Sequence, residues 1–227
     1  MLTKEMKDVL LASKETGWVV EPEAKGLLSS VGMDVPRFRW ATDIEEAIRF
    51  AEEIGYPVVA KVVSPKVIHK SEKNGVAVGI AGEIGLRETF RRFSGIDGFS
   101  GMLVEEMCSG LELIVGAKVD YHFGPVILLG IGGIRVEIYR DITLRMAPLH
   151  PNDIESMIRC LKGHSLLEGY RGAEPVNLKE LKRLLSIFSD LVMEVENLIE
   201  SIDLNPILCS STRCIVADAR IMLKRPD

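Results

Sequence analysis

Val58-Val59-Ala60-Lys61-Val62-Val63 runs directly into Ser64-Pro65-Lys66-Val67-Ile68-His69-Lys70-Ser71-Glu72-Lys73-Asn74-Gly75, and the chain returns through Val76-Ala77-Val78-Gly79-Ile80. Two apolar runs of strand length thus flank one polar loop, which predicts a pair of strands over about 58–63 and 75–80. The first run carries a lysine in its middle. An ammonium inside a buried strand is costly unless an anion meets it, and the His69-Lys70-Ser71 turn beside it offers several donors to phosphate oxygens. Lys61 and the loop together suggest a nucleotide-phosphate site with a histidine within reach. A neutral imidazole near pH 7 is both a nucleophile and a phosphoryl carrier. Residue types alone leave a second reading open, in which Lys61 snorkels from a strand end and His69 sits in a solvated turn.

Helical and strand periods alternate outward from this stretch. Pro22 stands where a first helical residue belongs, Ala24, Leu27, Leu28 and Val31 share a face, and Gly32 closes the turn. Thr42 and Glu45 read as a capping box ahead of Ile44, Ala47, Ile48, Ala51 and Ile54, with Gly55 ending that helix. A helix is expected near 83–93, then strands over 102–106, 112–119, 126–129 and 135–138, then a helix opening at Pro151. Leu181, Leu184, Leu185, Phe188, Val192, Val195 and Ile199 repeat at helical spacing over 178–199, as a core stripe does. Two strands, near 199–204 and 213–219, end the chain. The Gly- and Ser-rich segment 94–101 is the candidate hinge. The organisation expected is therefore a helical N-terminal extension over 1–20, one lobe over 21–100 and a second over 101–227, with a ligand cleft between lobes.

Three further constellations carry chemistry. Asn205-Pro206 and Asp218 fall on two predicted neighbouring strands, which would bring an amide oxygen and a carboxylate together, the donor set magnesium accepts alongside phosphates. A turn Asn-Pro and a surface Asp explain the same residues equally well. Leu103-Val104-Glu105-Glu106-Met107-Cys108 reads as a strand whose exposed backbone can meet an adenine edge, with Met107 over the ring and Glu112 accepting from ribose hydroxyls. A core methionine is the plainer explanation. Gly130-Ile131-Gly132-Gly133 allows close backbone approach, and Arg145 downstream of Glu137 and Asp141 could stabilise a transferring phosphoryl group, or a hairpin with an outer-face Arg accounts for both. His122, His150 and His164 stand in turn-like contexts and receive no role.

The bulk numbers bound these readings. The chain has 227 residues, 47% apolar and 27% charged, which suits a folded protein with a real core. A formal charge of −5 gives no general attraction to nucleic acid or anionic membrane, so any anion site must be local. No apolar run reaches the roughly 18 residues of a membrane span. Residues 1–20 interleave charges with apolar positions, unlike a signal peptide. Cys108, Cys160, Cys209 and Cys214 lack zinc spacing and read as reduced core thiols in a cytoplasmic protein.

Taken in order, the strand lysine, the His-Lys-Ser loop, Val104-Glu105-Glu106-Met107, Glu112, Gly130-Ile131-Gly132-Gly133, Asn205-Pro206 and Asp218-Ala219-Arg220 resemble one known family. It is the ATP-grasp beta subunit of ADP-forming acyl-CoA synthetases, the acetate–CoA ligase group related to succinyl-CoA synthetase. Glu23-Ala24-Lys25, Gly55-Tyr56-Pro57-Val58-Val59, Phe123-Gly124-Pro125-Val126 and Gly169-Tyr170-Arg171-Gly172 match as well, so the resemblance runs from about residue 20 to the end. It implies an α+β ATP-grasp fold of two lobes with the nucleotide between them. It also implies a CoA-binding alpha partner, in an α2β2 assembly, and ATP or ADP with Mg2+ on this chain. His69 would relay the phosphoryl group, and Lys61, with Lys70 and Ser71, would contact the phosphates. Glu105, Met107 and Cys108 would hold adenine, Glu112 ribose, and Asn205 and Asp218 magnesium. A succinate-type beta chain and a non-catalytic ATP-sensing module are the alternatives. Two departures stand out. The family has Asp then Gly-Gly after His-Lys-Ser, where this chain has Glu72 and Asn74-Gly75, and Val119-Asp120-Tyr121-His122 replaces an Arg-Asp-Pro segment.

Overall fold

The computed structural model describes residues 3–133 and 141–224. The expected strand over 135–138, with Glu137, lies outside them. The chain divides into two compact units, one built from 1–19, 23–35 and 109–227 and the other from 20–22 and 36–108.

The smaller unit is a four-stranded antiparallel sheet in the order β2 (Phe38–Ala41), β5 (Gly101–Glu106), β3 (Val58–Val63), β4 (Val76–Ile80). Helices α3 (Ile44–Ile54) and α4 (Glu83–Ser94) accompany it. Val58, Ala60 and Val62 of β3 and Met102 and Val104 of β5 join Ala47, Ile48, Ala51, Leu86 and Phe93 in one core. Period-two alternation then turns Lys61, Leu103 and Glu105 to the opposite face. Lys61 stands across from Leu103 and Val59 across from Glu105. The placement of β5 overturns the expected lobe boundary. Because β5 pairs with both β2 and β3, the segment 94–101 lies inside this unit, and Ser100 donates its backbone N–H to the Val63 carbonyl. The cap of α3 also falls one residue later than expected. Asp43 Oδ1 accepts from the Glu46 N–H at 2.9 Å, because Asp43, at φ −130° and ψ 159°, is the extended residue that precedes the helix.

The larger unit is a sheet in the order β1 (Trp18–Val19), β11 (Ala219–Leu223), β9 (Ile199–Cys209), β6 (Leu111–Asp120), β7 (Gly124–Ile131), β8 (Ile142–Met146), with β10 (Cys214–Val216) also on β9. The helices α1 (Lys4–Ala12), α2 (Glu21–Ser30), α5 (Pro151–Arg159), α6 (His164–Leu167) and α7 (Leu178–Val195) complete the elements. The α7 stripe predicted as core is core: Leu181, Leu184, Leu185, Phe188, Val192 and Val195 are all buried with Leu113, Val115, Leu129 and Ile202. Residues 1–20 are not an extension. Met6 and Leu10 of α1 enter this core, and β1 pairs with β11. The C-terminal strands differ from expectation as well. β9 continues through Pro206 to Cys209, and the return path is broken at Ala217-Asp218 into two short strands. The break occurs because the N–H groups of Ala217 and Asp218 both turn to the Pro206 carbonyl, at 3.0 and 3.4 Å.

Candidate active site

The smaller unit gathers four ionised side chains on the face of β3 opposite its helices. Lys61 Nζ lies 2.6 Å from Glu21 Oε1 and 3.2 Å from Glu105 Oε2, and Lys70 Nζ lies 2.5 Å from Glu21 Oε2. All four are buried, Glu21 to 1% exposure. Two ammoniums and two carboxylates in this geometry neutralise one another, which is how buried charge is tolerated. The lysines predicted to hold phosphate are thus brought together. Their carboxylate bridge, Glu21, was not singled out from the sequence. It precedes Glu23-Ala24-Lys25 at the first residue of α2, and only the buried lysine opposite it could have flagged the position.

His69 is exposed on the loop between these anchors. The loop is closed by backbone bonds. Gly75 N–H donates to the Lys70 carbonyl at 2.8 Å, Lys73 N–H donates to the same oxygen at 3.1 Å, and Val62 N–H donates to the Gly75 carbonyl at 2.8 Å. Ser71, exposed, opens a single 3-10 turn over Ser71–Lys73. Asn74 after it adopts φ 52° and ψ 31°, the left-handed conformation for which asparagine is the best substitute for glycine. At the end of β5, Glu105 is committed to Lys61, whereas Met107 is half exposed and Cys108 partly so. Of the stretch expected to meet adenine, Glu105 therefore faces the charged cluster. The Glu106 carboxylate pairs with Arg37 at 3.0 Å.

The larger unit sets the backbones of Asn205 and Asp218 side by side. Asn205 donates its backbone N–H to the Asp218 carbonyl at 3.2 Å, and Lys25, fully buried, donates from Nζ to the adjoining Ala217 carbonyl at 2.7 Å. Lys25 thereby braces the turn that carries Asp218, a role the sequence reading missed. An exposed amide and a partly exposed carboxylate on adjoining backbone fit the oxygen donors of magnesium, which is commonly held by one or two such groups plus phosphates. Glu112 is exposed on β6 beside the glycine run. Gly132 N–H donates to the Glu112 carbonyl at 2.6 Å, and a Cβ at Gly132 would come within 2.8 Å of that carbonyl group. The glycine is required there for this close approach.

Arg145 is set apart from these groups. It lies across from Ile127 on β7, which is buried in the helix-covered core, and it donates to Ser156 Oγ on α5 at 2.6 Å and to the Leu144 carbonyl at 2.7 Å. Glu112, across from Leu208, lies on the other face with Gly116, Leu128 and Leu144. That open face forms a cavity of about 590 Å3 lined by Lys118, Phe123, Leu128, Leu144 and Asp203 among others, and none of the candidate residues lines it.

A family model described as "ATP-grasp domain" matches residues 10–223. The chain belongs to the ATP-grasp domain family. Within that class it is 40% identical, over 93% of its length and 94% of the relative's, to the acetate–CoA ligase [ADP-forming] I subunit beta of Pyrococcus furiosus. It is 35% identical to the 4-hydroxybutyrate–CoA ligase [ADP-forming] of Nitrosopumilus maritimus over 90% of its own length, and it spans 31% of that longer protein. Its structure is similar to the dinucleotide-forming acetyl-coenzyme A synthetase 1 of Ca. Korarchaeum cryptofilum, solved with coenzyme A and Mg-AMPPCP and with its phosphohistidine segment pointing towards the nucleotide site. The TM-score is 0.85 at 39% identity, over 96% of this chain and all of that one. The α+β ATP-grasp fold expected from the resemblance is the fold observed.

Proposed function

We propose that this chain is the nucleotide-binding beta subunit of a reversible ADP-forming acyl-CoA synthetase, passing a phosphoryl group between a CoA-binding alpha partner and ADP through His69. The observation that carries the reading is the buried pair Lys61 and Lys70 on one strand-and-loop unit, with Lys70 next in sequence to the exposed His69. In the direction of ATP formation an imidazole nitrogen of His69 attacks the partner's phosphoryl group, and the new N–P bond forms as the bond to the partner's carrier group breaks and that group departs. The N–P bond then breaks as an oxygen of the ADP β-phosphate forms the new P–O bond, and the free imidazole is regenerated. Lys61, Lys70 and Ser71 hold phosphate oxygens, the backbone around Glu105, Met107 and Cys108 meets adenine, and Glu112 accepts from ribose. Asn205 and Asp218 would hold magnesium, which offsets phosphate charge when bound. Arg145, tied to Ser156, is left out of the transfer step.

Acetate is the acid we propose, in an α2β2 assembly in the cytoplasm. The names of the relatives, which include a 4-hydroxybutyrate ligase, support the broader class of carboxylic acids. A non-catalytic sensing module is the reading that the loop departures Glu72 and Asn74 would favour. With Asn74 in the left-handed conformation the turn is of the kind a glycine makes, which supports the catalytic reading over a silent one. The test is a labelling experiment with the chain, its partner and ATP carrying radioactive γ-phosphate. Acid-labile, base-stable label is expected on His69 and absent from His69→Ala. Equal ATP formation by the His69→Ala complex would overturn the relay.

A further inference from the structure

The loop that carries His69 is short between its fixed points. Val67 is buried in the core of the smaller unit and Lys70 is buried in the charged cluster, so Ile68 and His69 alone lie exposed between them. Upstream, Ser64 Oγ donates to the Asp97 carbonyl at 2.7 Å and accepts from the Lys66 N–H at 3.1 Å, which fastens the entrance of the loop. Two residues extend at most about 7 Å, so the anchors limit where His69 can reach. The downstream anchor is Lys70. Its carbonyl accepts the N–H groups of Lys73 and Gly75, which closes the turn, and its ammonium is held by Glu21. The second oxygen of that same carboxylate holds Lys61 on β3 at 2.6 Å. A monodentate acid could hold one lysine. Glu21, with one oxygen on each, ties the strand lysine and the loop lysine into a single body.

We infer that Glu21 is a positioning residue for His69: by clamping Lys70 to Lys61 it sets the height of the phosphoryl-carrying loop over β3. In taking His69 as the transferring group, the inference rests on the function proposed above. Glu21 itself touches no reacting atom. It acts through Lys70, and that route gives it a signature. A carboxylate that merely stabilised the fold would, when removed, loosen the whole sheet β2-β5-β3-β4. A clamp acting through Lys70 loosens residues 66–75 and leaves the strands as they were. Glu21 and Lys70 must also be coupled, so that once either is gone the other matters little.

The experiment compares Glu21→Gln, Lys70→Met and the double variant. Hydrogen exchange is followed on the chain without ligand, and label transfer to His69 on the chain with its partner and Mg-ATP. Each single variant should raise exchange within 66–75 by about tenfold or more at unchanged protection of β2, β3 and β5, and the double variant should add less than twofold. His69 labelling should slow about tenfold or more in each single variant, and again no further in the double. Should Glu21→Gln fail to fold, Lys70→Met decides alone, since it leaves the Glu21–Lys61 pair in place and must still open 66–75. Exchange spread evenly over the sheet, or independent effects of the two substitutions, would overturn the clamp. If the wild-type complex takes no label on His69, the proposed function falls, while the ligand-free exchange still decides whether Glu21 holds the loop.

Discussion

At the scale of single residues, two neighbours at the end of the His69 loop show how much a backbone position demands. Asn74 stands at φ 52°, where an L-residue without a local polar side chain pays roughly 1–2 kcal/mol, so Asn74→Ala should lower unfolding free energy by about that amount while Asn74→Gly should stay within about 0.5 kcal/mol. Gly75 is constrained by space. A Cβ there would lie 2.5 Å from Val62 Cγ1 and 3.1 Å from the Lys70 carbonyl oxygen, and Val62 is a stiff, fully buried side chain that cannot swing aside. Gly75→Ala should therefore cost about 1–3 kcal/mol in chemical denaturation and open the loop that Lys70 closes. Equal stability of Asn74→Ala and wild type would show that the left-handed turn is not held in solution. The need for a glycine-like residue at 74 was readable from the departure from the family's Gly-Gly. The crowding at 75 was not, because it depends on a strand thirteen residues upstream.

At the scale of elements, legibility followed period. The α7 stripe and the β3 run were readable because one apolar face repeats at 3.6 or 2 residues and is buried where the pattern places it, whereas β4 was readable only as an apolar run, with Val78 on it exposed. What failed was set by partners distant in sequence. Residues 94–101 look like a linker in composition, yet β5 immediately follows and sits between β2 and β3, so hydrogen bonding rather than flexibility decides its place. Likewise Pro206 looks like a strand end, yet its carbonyl serves the Ala217 and Asp218 N–H groups and β9 runs on. The cysteines divide in the same manner. Cys209 and Cys214 stand directly across β9 and β10, both buried, while Cys160 is exposed and Cys108 partly so. The neighbouring Cys214 thiol, and then burial, hold the Cys209 thiol well above its ordinary range, so its reactive thiolate is scarce at any pH where the fold persists. Alkylation of the native chain at pH 8, read by mass spectrometry, should modify Cys160 first and Cys108 next, with Cys209 and Cys214 reacting only in denaturant. Rapid native modification of Cys209 would mean that the β9–β10 hairpin opens far more readily than its packing implies.

At the scale of the whole molecule, charge decides how a nucleotide would be drawn to the proposed phosphate site. The Lys61–Glu21–Lys70–Glu105 cluster is neutral in sum, so it does not draw polyanions from a distance. Recognition of a nucleotide must come from short-range contacts and from magnesium, which carries the charge that a net −5 chain does not. Binding should accordingly depend on the metal. With Mg2+ the isolated chain should bind ADP, and with EDTA the affinity should fall about tenfold or more. Asp218→Asn should remove most of the difference between the two conditions, because the loss of one hard oxygen leaves Asn205 to hold the ion. Turnover should behave differently from binding. The chain alone, mixed with acetyl-CoA, ADP, phosphate and Mg2+, should form no ATP above background, and addition of the CoA-binding partner should restore it. Calorimetry reads the first quantity and a coupled ATP assay the second. Metal-independent binding would remove Asn205 and Asp218 from the proposed site, and ATP formed by the chain alone would mean that the acyl-CoA chemistry resides on this polypeptide after all.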